Sequence, residues 1–264
     1  MSFSLLTSST SGTGSAGLLD ILYGKSTASG ADPVLALQQA VKNRDKGVAA
    51  AAAEPLAKRE IAAFRAAVAK APDVKTLLAN PIARKVLLTA NGLGAQADYG
   101  ALARKALLSD TSKAGSLASK LGNKKWLAAA KTYDFAHKGL AVLRDPKVLN
   151  SIADGYAEVA WRTSLDSSTP GLSNAIDFRA RAAGITSVDQ ILGDAALREV
   201  VTTALGIPKQ IAFQTIQAQE KAISDRIDIG QFKKPIFVEQ FTRRYLVAAG
   251  AAAANVTQSA GLLA

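Results

Sequence analysis

The chain has no cysteine and a single histidine, His137, and these shortages exclude several classes of site. Without cysteine there can be no disulfide, no thiolate metal ligand and no cysteine nucleophile. With one imidazole there can be no multi-histidine metal site. We therefore expect no metal and no cofactor. The sequence does not fix the cellular compartment, because a chain without cysteine suits the cytosol, the periplasm and an export channel equally.

Long uncharged apolar runs are also missing. No window approaches the roughly 18 residues that a membrane-spanning helix needs, so no membrane span is predicted. The amino terminus has no basic region before its apolar residues, and serine, threonine and glycine interrupt any hydrophobic stretch. We therefore expect no Sec signal peptide. Strand signals are scarce too, because no stretch combines apolar alternation with many β-branched residues.

The chain nevertheless has the composition of a globular protein. Its 264 residues are 48% hydrophobic and 20% charged, which allows one large domain or two smaller ones with a sizeable core. The formal net charge of +11 would attract anionic surfaces.

One block is written twice. Residues 64–96 align without a gap to residues 178–210, and twelve of the thirty-three paired positions are identical. Within each copy, Asp73, Asn80, Ser187 and Asp194 stand where helix N-caps would stand, and Gly92 and Gly206 where helices would stop. The pattern predicts an all-α, internally duplicated and pseudo-symmetric multi-helix bundle. Three pairs should be equivalent and buried: Phe64 and Phe178, Leu78 and Leu192, Val86 and Val200.

Helical periodicity extends on both sides of the copies. It predicts helices over about 33–53, 56–69, 95–108, 124–134, 147–165, 208–225 and 235–253. We divide the chain into four parts: a flexible segment rich in serine, threonine and glycine (1–30), a first helical repeat (31–145), a linker helix with the second repeat (146–253) and a tail (254–264). The pattern leaves open whether the repeats share one core.

Candidates for chemistry are few. Asp134 lies three residues before His137, a spacing that pairs a carboxylate with an imidazole on a helix, but no G-x-S-x-G nucleophile accompanies them. Asp110, Asp225 and Asp228 do not follow a calcium-loop pattern and are better explained as caps and turns. The two glycines of NGLGAQ follow no strand and precede no Walker lysine, so a helix stop is the better explanation. We predict no catalytic residue and no enzymatic activity.

Basic residues lie beside aromatic ones in both halves. Lys124 and Lys125 precede Trp126, Lys233 and Lys234 precede Pro235, and Arg243 and Arg244 precede Tyr245. Bases could stack on the rings only if the rings were exposed. Their helical spacing favours core positions instead, so binding to nucleic acid or another anionic surface is the weaker alternative.

Three blocks resemble a known family. The first is the repeated SVDQILGDAALREVVTTALGI together with its counterpart in the first copy, the second is residues 107–135, and the third is residues 156–182. They are similar to alphaproteobacterial proteins classed only as a domain of unknown function, over roughly Asp32 to Gly250. The resemblance implies a setting among flagellar genes, and it carries over no catalytic residue.

The termini fit that setting by analogy with flagellar export substrates, whose amino termini are uncleaved and rich in serine and threonine. We expect a non-enzymatic structural or accessory protein, cytoplasmic or exported through a flagellar-type apparatus, that binds flagellar or export proteins through apolar termini. Ordinary frayed termini remain the alternative. The predicted partner-binding residues are Leu18, Leu19, Ile21, Leu22, Leu262 and Leu263.

Overall fold

The computed structural model describes residues 32–261, with side chains through Asn255, and this part of the chain is helical without strands. The all-α prediction is confirmed. The α-helices are α1 Pro33–Lys42, α2 Arg44–Ala53, α3 Pro55–Lys70, α4 Val74–Ala79, α5 Pro81–Ala90, α6 Gly100–Leu107, α7 Leu117–Lys120, α8 Lys124–Tyr133, α9 Phe135–Lys138, α10 Pro146–Leu165, α11 Leu172–Arg181, α12 Val188–Gly193, α13 Ala195–Ala204, α14 Ile216–Ser224 and α15 Pro235–Gly261. Short 3₁₀ turns lie at Gly94–Gln96, Gly139–Arg144, Ala182–Gly184, Lys209–Phe213 and Ile229–Lys233.

Polar caps start many of these helices. Asp32, Asn80 and Asp145 each accept a backbone N–H from the first turn, and each is followed by a proline at the first helical position. A side-chain oxygen there satisfies a donor that has no intrahelical partner, and proline loses nothing at a position whose N–H is free anyway.

Four helix predictions were wrong in their bounds. The last was too short, because α15 runs to Gly261 rather than to about 253. The helix predicted over 33–53 is interrupted at Asn43, which separates α1 from α2. The helices predicted from 95 and from 208 begin at Gly100 and Ile216, after 3₁₀ turns. In the helix predicted from 95, Gly94 and Gly100 weaken the helical conformation. In the helix predicted from 208, Thr215 starts a new helix by accepting the N–H of Ala218.

Two short helices and a glycine stop recur at the same positions of the two copies, whereas the first copy begins in one continuous helix and the second in a helix followed by a 3₁₀ turn. Helices α12 and α13 begin and end 114 residues after α4 and α5, and Gly92 and Gly206 both stop a helix with positive φ, 68° and 64°. Phe64 and Phe178 are both fully buried, and so are Val86 and Val200. Leu78 is fully buried whereas Leu192 is only partly buried. Superposition of the whole repeats about one axis stays a prediction.

The apolar side chains form two clusters. The first is built from residues 57–156, and the second from residues 161–246 together with Leu37 and Ala40 of α1. Helix α10 contributes Ile152 and Tyr156 to the first cluster and Trp161 to the second. Helix α1 packs on α11 and α15, so a segment assigned to the first repeat lies on the second core.

Candidate functional site

Five charged side chains from four helices meet where the two halves of the fold touch. We call this set the ionic cluster: Lys125 of α8, Arg162 of α10, Asp177 and Arg181 of α11, and Asp194, the N-cap of α13. All five side chains are mostly buried, Asp194 to the point of 4% exposure. Only Lys125 comes from the first half.

The carboxylates are each shared between cations. Asp177 accepts from Arg162 Nη1 at 2.9 Å and also pairs with Arg181 and, at 3.5 Å, with Lys125 Nζ. Asp194 Oδ2 lies 3.2 Å from Lys125 Nζ and accepts from Arg181 Nη1 at 2.9 Å. Lys125 therefore ties α8 of the first half to both acidic residues of the second.

The cations decide the charge state of the acids. Burial opposes ionisation of Asp177, but Lys125, Arg181 and Arg162 outweigh it and lower its pKa to about 2. The pKa of Asp194 is also lowered, because Lys125 and Arg181 outweigh its burial. Both acids are thus ionised at neutral pH and cannot act there as general acids. The geometry is that of an electrostatic brace with three cations and two anions.

Two cavities flank the ionic cluster, and both are lined by Lys125 and Asp194. One has a volume of about 360 Å³ and extends past Lys124 and Gln190. The other has a volume of about 260 Å³ and extends past Gly92 and Asn174. In both cavities the buried cations, Lys125 and in the first also Arg181, already have carboxylate partners, which favours the bracing role over ligand capture.

A backbone contact lies beside the ionic cluster. A Cβ added to Gly193 would sit 2.4 Å from the carbonyl carbon of Gly122, so only glycine fits against this backbone. The first copy has Ala79 at the equivalent position. The copies therefore differ where α12 touches the loop before α8, and only the second has glycine there.

Comparison with known proteins places these features in a family. A family model described as a protein of unknown function, DUF1217, matches residues 90–238, more than half of the chain. The chain belongs to the DUF1217 family. The match contains all five residues of the ionic cluster. It also agrees with the resemblance to a domain of unknown function, whereas it says nothing about flagellar genes.

A solved structure shares the DUF1217 chain's fold. It is a crystal structure of a protein from Agrobacterium tumefaciens with 21% sequence identity and a TM-score of 0.66, covering 84% of this chain and 96% of that one. At this identity the likeness shows the fold alone. No curated protein matches the sequence.

His137 of the DUF1217 chain lies between two carboxylates. Its Nδ1 is 2.6 Å from Asp134 Oδ1, and its Nε2 is 3.6 Å from Asp110 Oδ1, which also accepts the hydroxyl of Ser112 at 2.6 Å. Hydrogen bonding and attraction to Asp134, with attraction to Asp110, raise the pKa of His137. A carboxylate thus separates serine from imidazole, so the imidazole is not placed to remove the serine proton.

The other predicted carboxylates have local roles. Asp228 accepts the N–H of Gly230 at 2.8 Å, and Asp225 pairs with Lys221 at 3.0 Å one turn earlier. Within residues 32–261, no group of three or more histidine, cysteine, aspartate or glutamate side chains could hold a metal ion. No helix in that range is long and apolar enough to cross a membrane.

The basic residues beside aromatics do not form a stacking surface. Trp126 and Tyr245 are each 2% exposed, as their helical spacing predicted. Arg243 pairs with Glu239 at 2.6 Å, and Lys125 belongs to the ionic cluster. Nucleic-acid bases therefore have no ring to stack on at these two places.

Exposed aromatic residues occur elsewhere, at one position of both copies. Phe213 is 91% exposed and its counterpart Tyr99 is 63% exposed. Phe213 ends a 3₁₀ turn, and Tyr99 lies between a 3₁₀ turn and α6. Ile216, the first residue of α14, is exposed as well. The predicted partner-binding residues lie outside the described residues: Leu18, Leu19, Ile21, Leu22, Leu262 and Leu263.

Sequence reasoning missed the ionic cluster and the exposed Phe213. A signal existed for part of the cluster, because Asp177 and Arg181 are four residues apart, the spacing of an ion pair on a helix. The contact of Lys125 with Asp194 joins residues that are far apart in sequence, and no local pattern encodes it. The pairing of Tyr99 with Phe213 follows when the offset of 114 residues is continued past the aligned block, but their exposure does not follow from it.

Proposed function

We propose that this DUF1217 protein is a non-enzymatic structural or accessory protein that works by binding other proteins. One observation carries the proposal: both copies hold an exposed aromatic side chain at the same position, Tyr99 and Phe213. A phenylalanine with 91% exposure contributes little to the fold and gains free energy only when a partner covers it. Its recurrence at a repeated position argues against an accident of one loop.

The absence of assembled chemistry in the described residues supports the same conclusion. The imidazole of His137 is occupied by carboxylates, and the buried acids of the ionic cluster are neutralised by cations. Neither arrangement pairs a nucleophile with a base. The proposal of no enzymatic activity rests on these two arrangements and on the lack of cysteine.

We place the protein in flagellar assembly or structure, either cytoplasmic or exported through a flagellar-type apparatus. The support is the sequence resemblance and the composition of residues 1–30, rich in serine, threonine and glycine. The alternative, a basic protein that binds nucleic acid or anionic surfaces, is supported by the net charge of +11.

A pull-down from motile cells distinguishes the two. The baits are the full-length protein, a truncation lacking residues 1–24, the variant Phe213→Ser and the control Val247→Ser, which changes an exposed apolar residue on α15. The proposal predicts that wild type and control recover flagellar components at low and at moderate salt. Loss through Phe213→Ser would assign the contact to the body, and loss through truncation to the terminus.

The alternative predicts a different outcome. If all four baits recover only nucleic acid, and rising salt releases it, the protein binds phosphates rather than proteins. A hydrolase activity abolished by His137→Ala would overturn the proposal of a non-enzymatic protein.

A further inference from the structure

A separate cavity with an aromatic floor lies in the second half of the fold. Its volume is about 360 Å³, and it is lined by the end of α13, the turn after α14 and one face of α15. Phe237 and Phe241 lie one turn apart on α15 and stack with ring centroids 5.8 Å apart. Leu205 and Ile227 extend the apolar lining. None of these residues belongs to the ionic cluster.

The aromatic floor is unusual for this chain. Phe237 and Phe241 belong to a group of four phenylalanines with Phe178 and Phe232, in which neighbouring rings are 5.2 to 6.0 Å apart. The chain has only eight phenylalanines, so half of them gather here. Three are buried and Phe237 is partly exposed at the cavity.

Two arginines line the same cavity. Arg226 lies in the turn after α14, where one of its guanidinium nitrogens donates to the carbonyl of Ala222 at 2.8 Å. Arg244 lies one turn after Gln240 on α15. Among the ion pairs of the described residues, neither arginine has a carboxylate partner. Asp228 also lines the cavity, and its carboxylate accepts the N–H of Gly230 at 2.8 Å rather than pairing with either arginine.

The repeat does not require arginine at this place. With the single-residue insertion that aligns residues 107–110 to 222–225, Arg226 corresponds to Thr111 of the first copy. The turns around these two residues differ, because Arg226 N donates to Ile223 O whereas Thr111 lies in a turn closed by Lys113 N and Asp110 O. The guanidinium at this cavity is therefore a feature of the second copy alone.

We propose that this cavity binds a small amphipathic anion, a carboxylate head on an aromatic or apolar body. A guanidinium presents a planar fork of donors that suits a carboxylate, and stacked phenyl rings suit an apolar body. The volume falls at the small end of ligand sites, which span about 300 to 1,000 Å³. An inorganic anion would leave the rings unused, and a neutral aromatic molecule would leave the arginines unused.

Naphthoate and its neutral analogue naphthamide test the proposal on the full-length protein. Their affinities are measured by calorimetry or ligand-observed NMR with wild type, Arg244→Gln, Phe237→Leu and the control Arg243→Gln. Arg243 is adjacent to Arg244, is exposed and does not line the cavity. Circular dichroism melts confirm that each variant is folded.

The proposal predicts that naphthoate binds about tenfold more tightly than naphthamide, as expected for one charge-assisted contact. Arg244→Gln should remove most of that difference, Phe237→Leu should weaken both ligands, and Arg243→Gln should change neither by more than about twofold. Equal affinity of the two ligands, equal effects of the Arg243 and Arg244 variants, indifference to Phe237→Leu, or no binding of either ligand would each overturn it.

Discussion

Gly193 is in contact with the backbone of Gly122, and this contact allows no side chain. A Cβ at Gly193 would lie 2.4 Å from a backbone carbon, which a rotamer change cannot relieve. At Gly250, in α15, an added Cβ meets nothing within 4 Å. A side chain is therefore sterically excluded at Gly193 but not at Gly250.

We expect Gly193→Ala to destabilise the protein by about 1–3 kcal/mol, the usual cost of overpacking, because the two halves must separate locally. Gly250→Ala is the control and should stabilise by up to about 1 kcal/mol, since alanine favours the helix. Urea denaturation followed by circular dichroism measures both. A neutral Gly193→Ala would contradict the close contact.

Ionised Asp177 makes the free energy of unfolding depend on pH in the acidic range. Its pKa is about 2 in the folded protein, below the ordinary 3.8, so its contribution is complete above about pH 4 and is lost as pH falls towards 2. The shift corresponds to about 2 kcal/mol. Asp177→Asn should lose a similar amount at neutral pH, and the dependence between pH 4 and 2 should flatten.

Asp154→Asn is the control, because Asp154 is exposed on α10. It should change the free energy of unfolding by less than about 0.5 kcal/mol. If the acid dependence of Asp177→Asn equals that of wild type, the cations of the ionic cluster do not hold Asp177 ionised.

At the scale of helices, the equivalent N-cap residues of the two copies, Asn80 and Asp194, make different numbers of contacts. Asn80 caps α5 by accepting the N–H of Ala83 at 3.0 Å. Asp194 caps α13 by accepting from Ala196 and Leu197, and it also pairs with Lys125 and Arg181. The second copy therefore uses its cap for tertiary contact as well.

Alanine substitution separates the two roles. We expect Asn80→Ala to reduce stability by about 1 kcal/mol, the usual value of a cap. Asp194→Ala should reduce it by roughly 3 kcal/mol, because two buried cations also lose a partner. Chemical denaturation of both variants gives the comparison, and equal losses would show that the ionic cluster adds nothing to the cap.

Local sequence signals predicted the helices of the copies well and long-range contacts poorly. The caps at Asp73, Asn80, Ser187 and Asp194 act within three residues, so a local pattern suffices to find them. The break at Asn43 was missed because apolar periodicity before it and the alanine run at 49–53 after it both favour helix. The helix start at Gly100 was missed because apolar periodicity continued through the turn before it.

For the whole molecule, the sequence predicted an all-α duplication but not how its parts pack. Leu37 and Ala40 lie in the second cluster although they precede the first copy, and Lys125 reaches acids more than fifty residues away. Such contacts depend on where helices meet, and periodicity does not encode that. The same limit hid the exposed Phe213, whose apolar character by itself predicts burial.

The central proposal is that this DUF1217 protein acts in the flagellum by binding other proteins. Swimming of a deletion strain, complemented with wild type, Phe213→Ser or the control Val247→Ser, tests it most directly. The account predicts that deletion impairs swimming and that wild type and Val247→Ser restore it. If the helical part of the chain, rather than its termini, contacts the partner, Phe213→Ser should fail to restore swimming. A deletion strain that swims as well as its parent would contradict the account.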